Sequence, residues 1–191
     1  MSGCEFPYPA MEFITRFDQH ILETLYALRD PFLVQVLIWM SELASVWTIV
    51  GLTAVAVLLF VLKQHYAYAA GIAISVAISG VGVLLGKGLL QRARPDEVYQ
   101  AYVEVWYSFP SAHAALGAAL YGFLLYVVWR SFPSRVTRYA LLLAGIAVIG
   151  VVSFSRLYLG VHFFSDVAAG LVLGFASAWI GATFVAYMRR S

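Results

Sequence analysis

Residues 67–85 read AYAAGIAISVAISGVGVLL, and Lys87–Gly88–Leu89–Leu90–Gln91–Arg92–Ala93–Arg94–Pro95 follows one residue later. The first stretch carries no charged side chain and approaches the ~20 apolar residues that cross a bilayer core. The second crowds cations onto its end. A helix that is apolar throughout and then abruptly basic belongs in a membrane, with its polar end at the edge of the bilayer.

The rest of the chain repeats the pattern. Trp47–Leu62, Ala114–Val128, Tyr139–Phe154 and Phe164–Tyr187 are further apolar runs, and Phe32–Ser45 is a shorter one. Of the 191 residues, 62% are hydrophobic and only 12% charged, well above the roughly 45–50% apolar content of soluble domains. Mean hydropathy is +0.84. These features predict an all-α integral membrane bundle of six transmembrane helices, near 31–45, 47–63, 66–90, 112–130, 137–155 and 163–188.

Before the first span, Phe13, Ile14, Phe17, Ile21, Leu22, Leu25 and Leu28 recur at helical spacing, with Glu12, Arg16, Asp18, Glu23 and Arg29 on the other face. This predicts an N-terminal amphipathic interfacial helix, or else a helix packed on the bundle. The chain is therefore divided into an N-terminal segment, 1–30, and a transmembrane domain, 31–191. Acids and prolines within Ser2–Arg16 argue against a cleavable signal peptide. Cys4 stands alone and permits no intramolecular disulfide. A net charge of +2, with no basic run, excludes nucleic acid as the expected partner. The lipid bilayer is the expected one, and no obligatory protein partner is evident.

Lys63, then Arg130, Arg135 and Arg138, then Arg189 and Arg190 fall at ends that an alternating path places on one side. Cytoplasmic loops carry such excess. Six crossings then put both termini in the cytoplasm and turn the 91–111 and 155–163 connections outward, in a cell membrane. Those connections nonetheless carry Arg92, Arg94 and Arg156.

Three polar clusters thus share one face. Lys87 and Arg94 are seven residues apart, about two helical turns, so they point the same way on a continuous helix, whereas Arg92 lies off that face. They could grip an anion, or simply snorkel at a helix end. Pro110–Ser111–Ala112–His113 opens the next apolar run. Ser111 can cap it, and its first turn suits an anion, with His113 placed to donate a proton. A plain capped helix start is the alternative. Ser155–Arg156 precedes His162 and Asp166, which are spaced i, i+4. A carboxylate there can hold one ring nitrogen and leave the other free to attack; the alternative is a solvated pair. Two histidines and an aspartate also suit a metal, but Lys87, Arg94 and Arg156 would repel a divalent cation.

Taken together, the clusters resemble the signature of the type 2 phosphatidic acid phosphatase family. That signature is a lysine, six residues and Arg-Pro; then Pro-Ser-Gly-His; then Ser-Arg, five residues, His, three residues, Asp. The one departure is Ala112 in place of the family's glycine. A methyl group is tolerated there if the position does not need a positive φ. The resemblance implies a core like that of the vanadium haloperoxidases and acid phosphatases, and hydrolysis of a lipid phosphate without metal or cofactor. It implies that His162 is the nucleophile, Asp166 orients it and His113 is the general acid and base. Lys87, Arg94, Ser111, Ala112 and Arg156 would bind phosphate. Family analogy offers phosphatidylglycerol phosphate, phosphatidic acid, diacylglycerol pyrophosphate and undecaprenyl pyrophosphate as substrates. The aromatic and acidic segment 96–109 is expected to form a lid or an interfacial loop over the site. A non-enzymatic transporter or lipid-binding protein is the rival; it predicts polar residues spread through the spans, where only Gln35, Glu42 and scattered Ser and Thr occur.

Overall fold

The computed structural model describes residues 9–190, so Cys4 and the start of the Ser2–Arg16 segment lie outside it. Its helices are α1 (Pro9–Ala27), α2 (Pro31–Ser41), α3 (Val46–Leu62), α4 (Tyr66–Leu90), α5 (Ala112–Ser131), α6 (Arg135–Tyr158) and α7 (Phe164–Met188), and no strand occurs among the described residues. Local chemistry sets several boundaries. Asp30 accepts a hydrogen bond from the Leu33 N–H while Pro31 starts α2, the arrangement that suits a helix entry. Ser45 and Ser134 cap α3 and α6 through the N–H groups of Thr48 and Thr137. Gln91, at φ +43°, stops α4 in the left-handed conformation. The chain then runs without helix through Arg92 and Arg94 to Pro95.

Helices α4, α5, α6 and α7 are long and apolar enough to cross a membrane. The six expected crossings are matched in part: Pro31–Ala44 and Val46–Leu62, over the expected spans 31–45 and 47–63, pass that test only as a pair bent by 43°, which with α4 to α7 gives four to five candidate crossings among the described residues by length and composition. The reason is length, since α2 has only 11 residues, about 16 Å of rise. Contacts follow the pair along the bundle: Ser41 lies 3.5 Å from Arg156, Ala44 packs on Gly117, and Phe60 meets the Tyr68 ring. The start of the described chain lies at the same end of the bundle as the polar clusters, because Asp18 bonds Ser165 and Arg29 bonds the Tyr99 and Tyr158 carbonyls.

Helix α1 packs across that end rather than standing apart. Its Leu22 and Asp18 are buried, whereas Phe13, Ile14 and Phe17 remain exposed. The expected two-faced division is corrected at Asp18, which points into the bundle. It is corrected also at Arg29, whose guanidinium donates to the carbonyls of Tyr99 and Tyr158 at 2.7 and 2.9 Å.

The bundle is closed by small residues. A Cβ on Gly170 would sit 2.7 Å from the Ser111 carbonyl oxygen; on Gly174 it would sit 2.3 Å from that of Ala115; on Gly181, 2.4 Å from that of Gly71. Backbone against backbone is how helices gain contact where lipid supplies no hydrophobic drive. Their outer faces expose Leu85, Val172 and Trp179, among others. Gly174→Ala should therefore lower stability by about 1–3 kcal/mol through overpacking. Gly51→Ala, with nothing within 4 Å of the new methyl, should not. Thermal unfolding of the purified variants in detergent decides this.

Candidate active site

The α5–α7 approach joins two of the sequence clusters directly: the Ser111 N–H donates to the Asp166 carbonyl at 3.0 Å. The end of α4 and the end of α6 supply the rest. Lys87, Arg94, His113 and His162 line one cavity of about 330 Å³, together with Ala112 and Glu104. Its remaining wall is apolar, built from Val46, Gly80, Val83, Leu84 and Leu116. The pocket thus has a cationic, imidazole-bearing end and a greasy end running along α4 and α5.

His162 is 3% exposed. Its Nδ1 faces Asp166 Oδ2 at 3.5 Å, and its Nε2 lies 3.3 Å from an Arg94 nitrogen. Asp166 Oδ2 also accepts from the Phe163 N–H at 2.9 Å, so the carboxylate is held by the turn that starts α7. The two residues meet across that turn, because His162 precedes the helix rather than lying on it. Assigning the Nδ1 proton toward Asp166 leaves the Nε2 lone pair facing the cavity.

The cations are held by the 96–109 segment. Arg94 donates from Nε to the Trp106 carbonyl at 2.7 Å and from a terminal nitrogen to the Val161 carbonyl at 2.7 Å. Lys87 Nζ donates to the Tyr107 carbonyl. Arg156, wholly buried, donates to the Tyr102 hydroxyl at 2.5 Å and to Glu104. Glu104 also pairs with Arg94 at 3.2 Å. Burial opposes ionisation of Glu104, but Arg156 and Arg94 outweigh it and hold its carboxyl below the usual range. Trp106, at φ +120°, takes a backbone conformation rare for a residue with a side chain, and its carbonyl meets Arg94 there.

Ser111 does not cap α5 with its side chain. Its buried Oγ has no hydrogen-bond partner among the described residues, and neither does the buried Arg156 Nε. Ala112 begins α5 and is not among the positive-φ residues, so the family's glycine is not required there for backbone freedom. Arg92 lies off the Lys87–Arg94 face, as its spacing predicts. It does not join Lys87 and Arg94 but turns to the other side of Asp166, 2.6 Å from Oδ1. Asp18 on α1 was not legible as a site residue, since nothing in local spacing ties it to Arg92, 74 positions on; Glu104 falls in the 96–109 segment expected over the site, but its spacing gave it no role of its own.

The model of the PAP2 superfamily matches residues 64–190. The chain belongs to the PAP2 superfamily. Among curated proteins it is similar to phosphatidylglycerophosphatase B of Bacillus subtilis (strain 168), 29% identical over 163 residues, covering 82% of this chain and 77% of that protein. Its fold is that of the transmembrane PAP2-type phosphatidylglycerolphosphate phosphatase crystallised from Bacillus subtilis, with a TM-score of 0.84 at 22% identity, over 96% of this chain and 90% of that one. It is also similar in fold to Aquifex aeolicus LpxE, with a TM-score of 0.69 at 19% identity, over 86% and 94% of the respective chains.

In this PAP2 pocket burial first, then Arg156, Arg94 and Lys87, push the His162 ring well below the ordinary histidine value. A depressed value keeps the ring neutral as pH falls through about 6.5. A step that used the Nε2 lone pair would therefore hold its rate down past pH 6 and fail only at lower pH. Measuring kcat/KM, which reports the groups of the free enzyme, across pH 4–8 checks it; an acid limb centred near 6.5 would assign that limb to an unshifted imidazole.

Proposed function

We propose that this chain is a membrane lipid phosphatase that cleaves a phosphate ester or diphosphate headgroup through a phosphohistidine on His162. The observation that carries the reading is the two-ended cavity, where cations and imidazoles meet an apolar channel along α4 and α5. A soluble phosphate ester has no use for the greasy end, and a transporter has no use for polarity confined to one end of the bundle.

The chemistry follows from the atoms present. The His162 Nε2 lone pair forms the N–P bond as the P–O bond to the lipid oxygen breaks, and His113 gives that oxygen its proton. Water then attacks phosphorus, His113 takes the water proton, the N–P bond breaks, and orthophosphate leaves. Asp166 stabilises the imidazolium character that develops on His162. Lys87, Arg94, Arg156, the Ser111 hydroxyl and the Ala112 N–H are assigned to the transferred oxygens, and such fixed charge supplies most of the catalysis in phosphoryl transfer. A site with three cations favours an anion over a divalent metal. The similar Bacillus protein carries the name phosphatidylglycerophosphatase, which makes phosphatidylglycerol phosphate the first substrate to test.

The test is phosphate release, in EDTA, from phosphatidylglycerol phosphate, phosphatidic acid, diacylglycerol pyrophosphate and undecaprenyl pyrophosphate in detergent micelles. Wild type should turn over at least one of them, and His162→Ala should lose at least about 10⁴-fold in kcat together with any acid-labile phosphoenzyme trapped by denaturing quench. Retained turnover in His162→Ala would remove the covalent route, and a strict metal requirement would return the histidines to metal ligation.

We further propose that the site faces outward. Lys63, Arg130, Arg135, Arg189 and Arg190 all fall at the helix ends opposite the cavity, which supports a cytoplasmic placement for them. An odd number of crossings would set α1 outside with the site and leave the end of α7 in the cytoplasm. In a Cys4→Ser background, Glu97→Cys should label with a membrane-impermeant maleimide on intact cells, and Pro133→Cys only after permeabilisation. The reverse pattern would invert the topology.

A further inference from the structure

We propose that Arg92 and Asp18 are positioning residues for the reaction, forming an ionic chain that fixes the Asp166 carboxylate toward His162 and makes α1 a working part of the site. The proposal rests on His162 and Asp166 being the reacting pair. Arg92 sits between two buried carboxylates. One terminal nitrogen donates to Asp166 Oδ1 at 2.6 Å and the other to Asp18 Oδ2 at 2.7 Å. The ring of Phe163 lies under its guanidinium, 4.4 Å away. Ser165 completes the connection: its hydroxyl accepts from Arg92 at 2.6 Å and donates to Asp18 Oδ2 at 2.5 Å, while its N–H donates to Asp18 Oδ1 at 2.9 Å.

The consequence for Asp166 is directional. One oxygen is taken by Arg92, so the other faces the Phe163 N–H and His162 Nδ1. Without Arg92 the carboxylate would keep the Phe163 N–H and the Ser108 hydroxyl but no charged partner, and could turn about its Cβ–Cγ bond and lose His162, whose contact at 3.5 Å is already long. Arg92 in turn would have several orientations without Asp18, which is 1% exposed and bonds Arg92 and Ser165 through its side chain. A planar guanidinium clamped at both ends has one orientation, which a lysine in its place would not reproduce. Because Asp18 belongs to α1, the surface helix reaches the nucleophile through three side chains: Asp18, Arg92 and Asp166.

The lipid phosphate assay of Arg92→Ala and Asp18→Asn tests this. Arg92→Ala should lower kcat about 10–100-fold, the usual cost of removing a group that orients a reacting one, with KM within about twofold, since no phosphate oxygen is lost. Added guanidinium should restore part of that kcat, which a folding defect would not allow. Asp18→Asn should lower kcat in the same sense but less, and Arg92→Ala with Asp18→Asn should be no worse than Arg92→Ala alone, because the two act through one carboxylate. Wild-type kcat in both single variants, a rise in KM with kcat intact, additive losses, or no guanidinium rescue would each overturn the proposal. If His162→Ala also keeps full turnover, the reading of the reacting pair fails first; if it is dead while Arg92→Ala is normal, only the positioning role fails.

Discussion

Everything at the polar end depends on how closely α5 and α7 approach. Gly170 and Gly174 leave no room for a Cβ against the carbonyl oxygens of Ser111 and Ala115, and at that separation the start of α5 bonds the start of α7 through Ser111 and Asp166. The Pro-Ser-Ala-His segment and the His–Asp pair are thereby set beside each other by backbone contact, before any side-chain interaction is counted. Helix α4 then lies against the same α7, with Gly71 packed on Val185 near one end and Gly82 on Leu173 further along. Lys87 arrives at the cavity as a result. A rigid set of helix ends is what lets loop-borne groups such as Arg94 and His162 occupy one place.

A second constraint is electrostatic. Arg156 is fully buried and Lys87 nearly so, and cations removed from water are costly unless paired. The fold meets this on two sides of Asp166. On the cavity side, Glu104 spans Arg94 and Arg156 while lid carbonyls take Lys87 and Arg94. On the other side, Arg92 spans Asp18 and Asp166. Arg92 bridges two carboxylates and Glu104 two guanidinium groups, and each bridge ties a peripheral segment, α1 or the 96–109 loop, to the polar end of the bundle. Both segments are therefore held by the same charges to which the proposed chemistry is assigned.

Much of this was legible in the chain because membranes impose strong rules. Apolar length marked α4 to α7. The crossing count is hardest to read where the rule is weakest: Phe32–Ser45 reads as apolar whether it spans alone or forms one arm of a bent path. Periodicity on α1 placed Asp18 with the polar face, because a helical wheel cannot see that a guanidinium from residue 92 will meet it. Arg92 was set aside for the matching reason. Its direction was judged from a helix that stops, in fact, at Leu90.

The sequence alone determined what groups are present and how they are spaced within each cluster: an all-helical membrane chain with the three-part signature of the PAP2 superfamily. Local composition and motif order suffice for that, since transmembrane length and i, i+4 spacing are properties of short segments. Only the tertiary structure decided that Glu104 stands between Arg94 and Arg156, that Arg92 serves Asp166 rather than the cavity, and that α1 closes the polar end. Those are meetings between residues 52, 74 and 147 positions apart. Buried charge settles them by finding whichever partner the packed helices bring within reach.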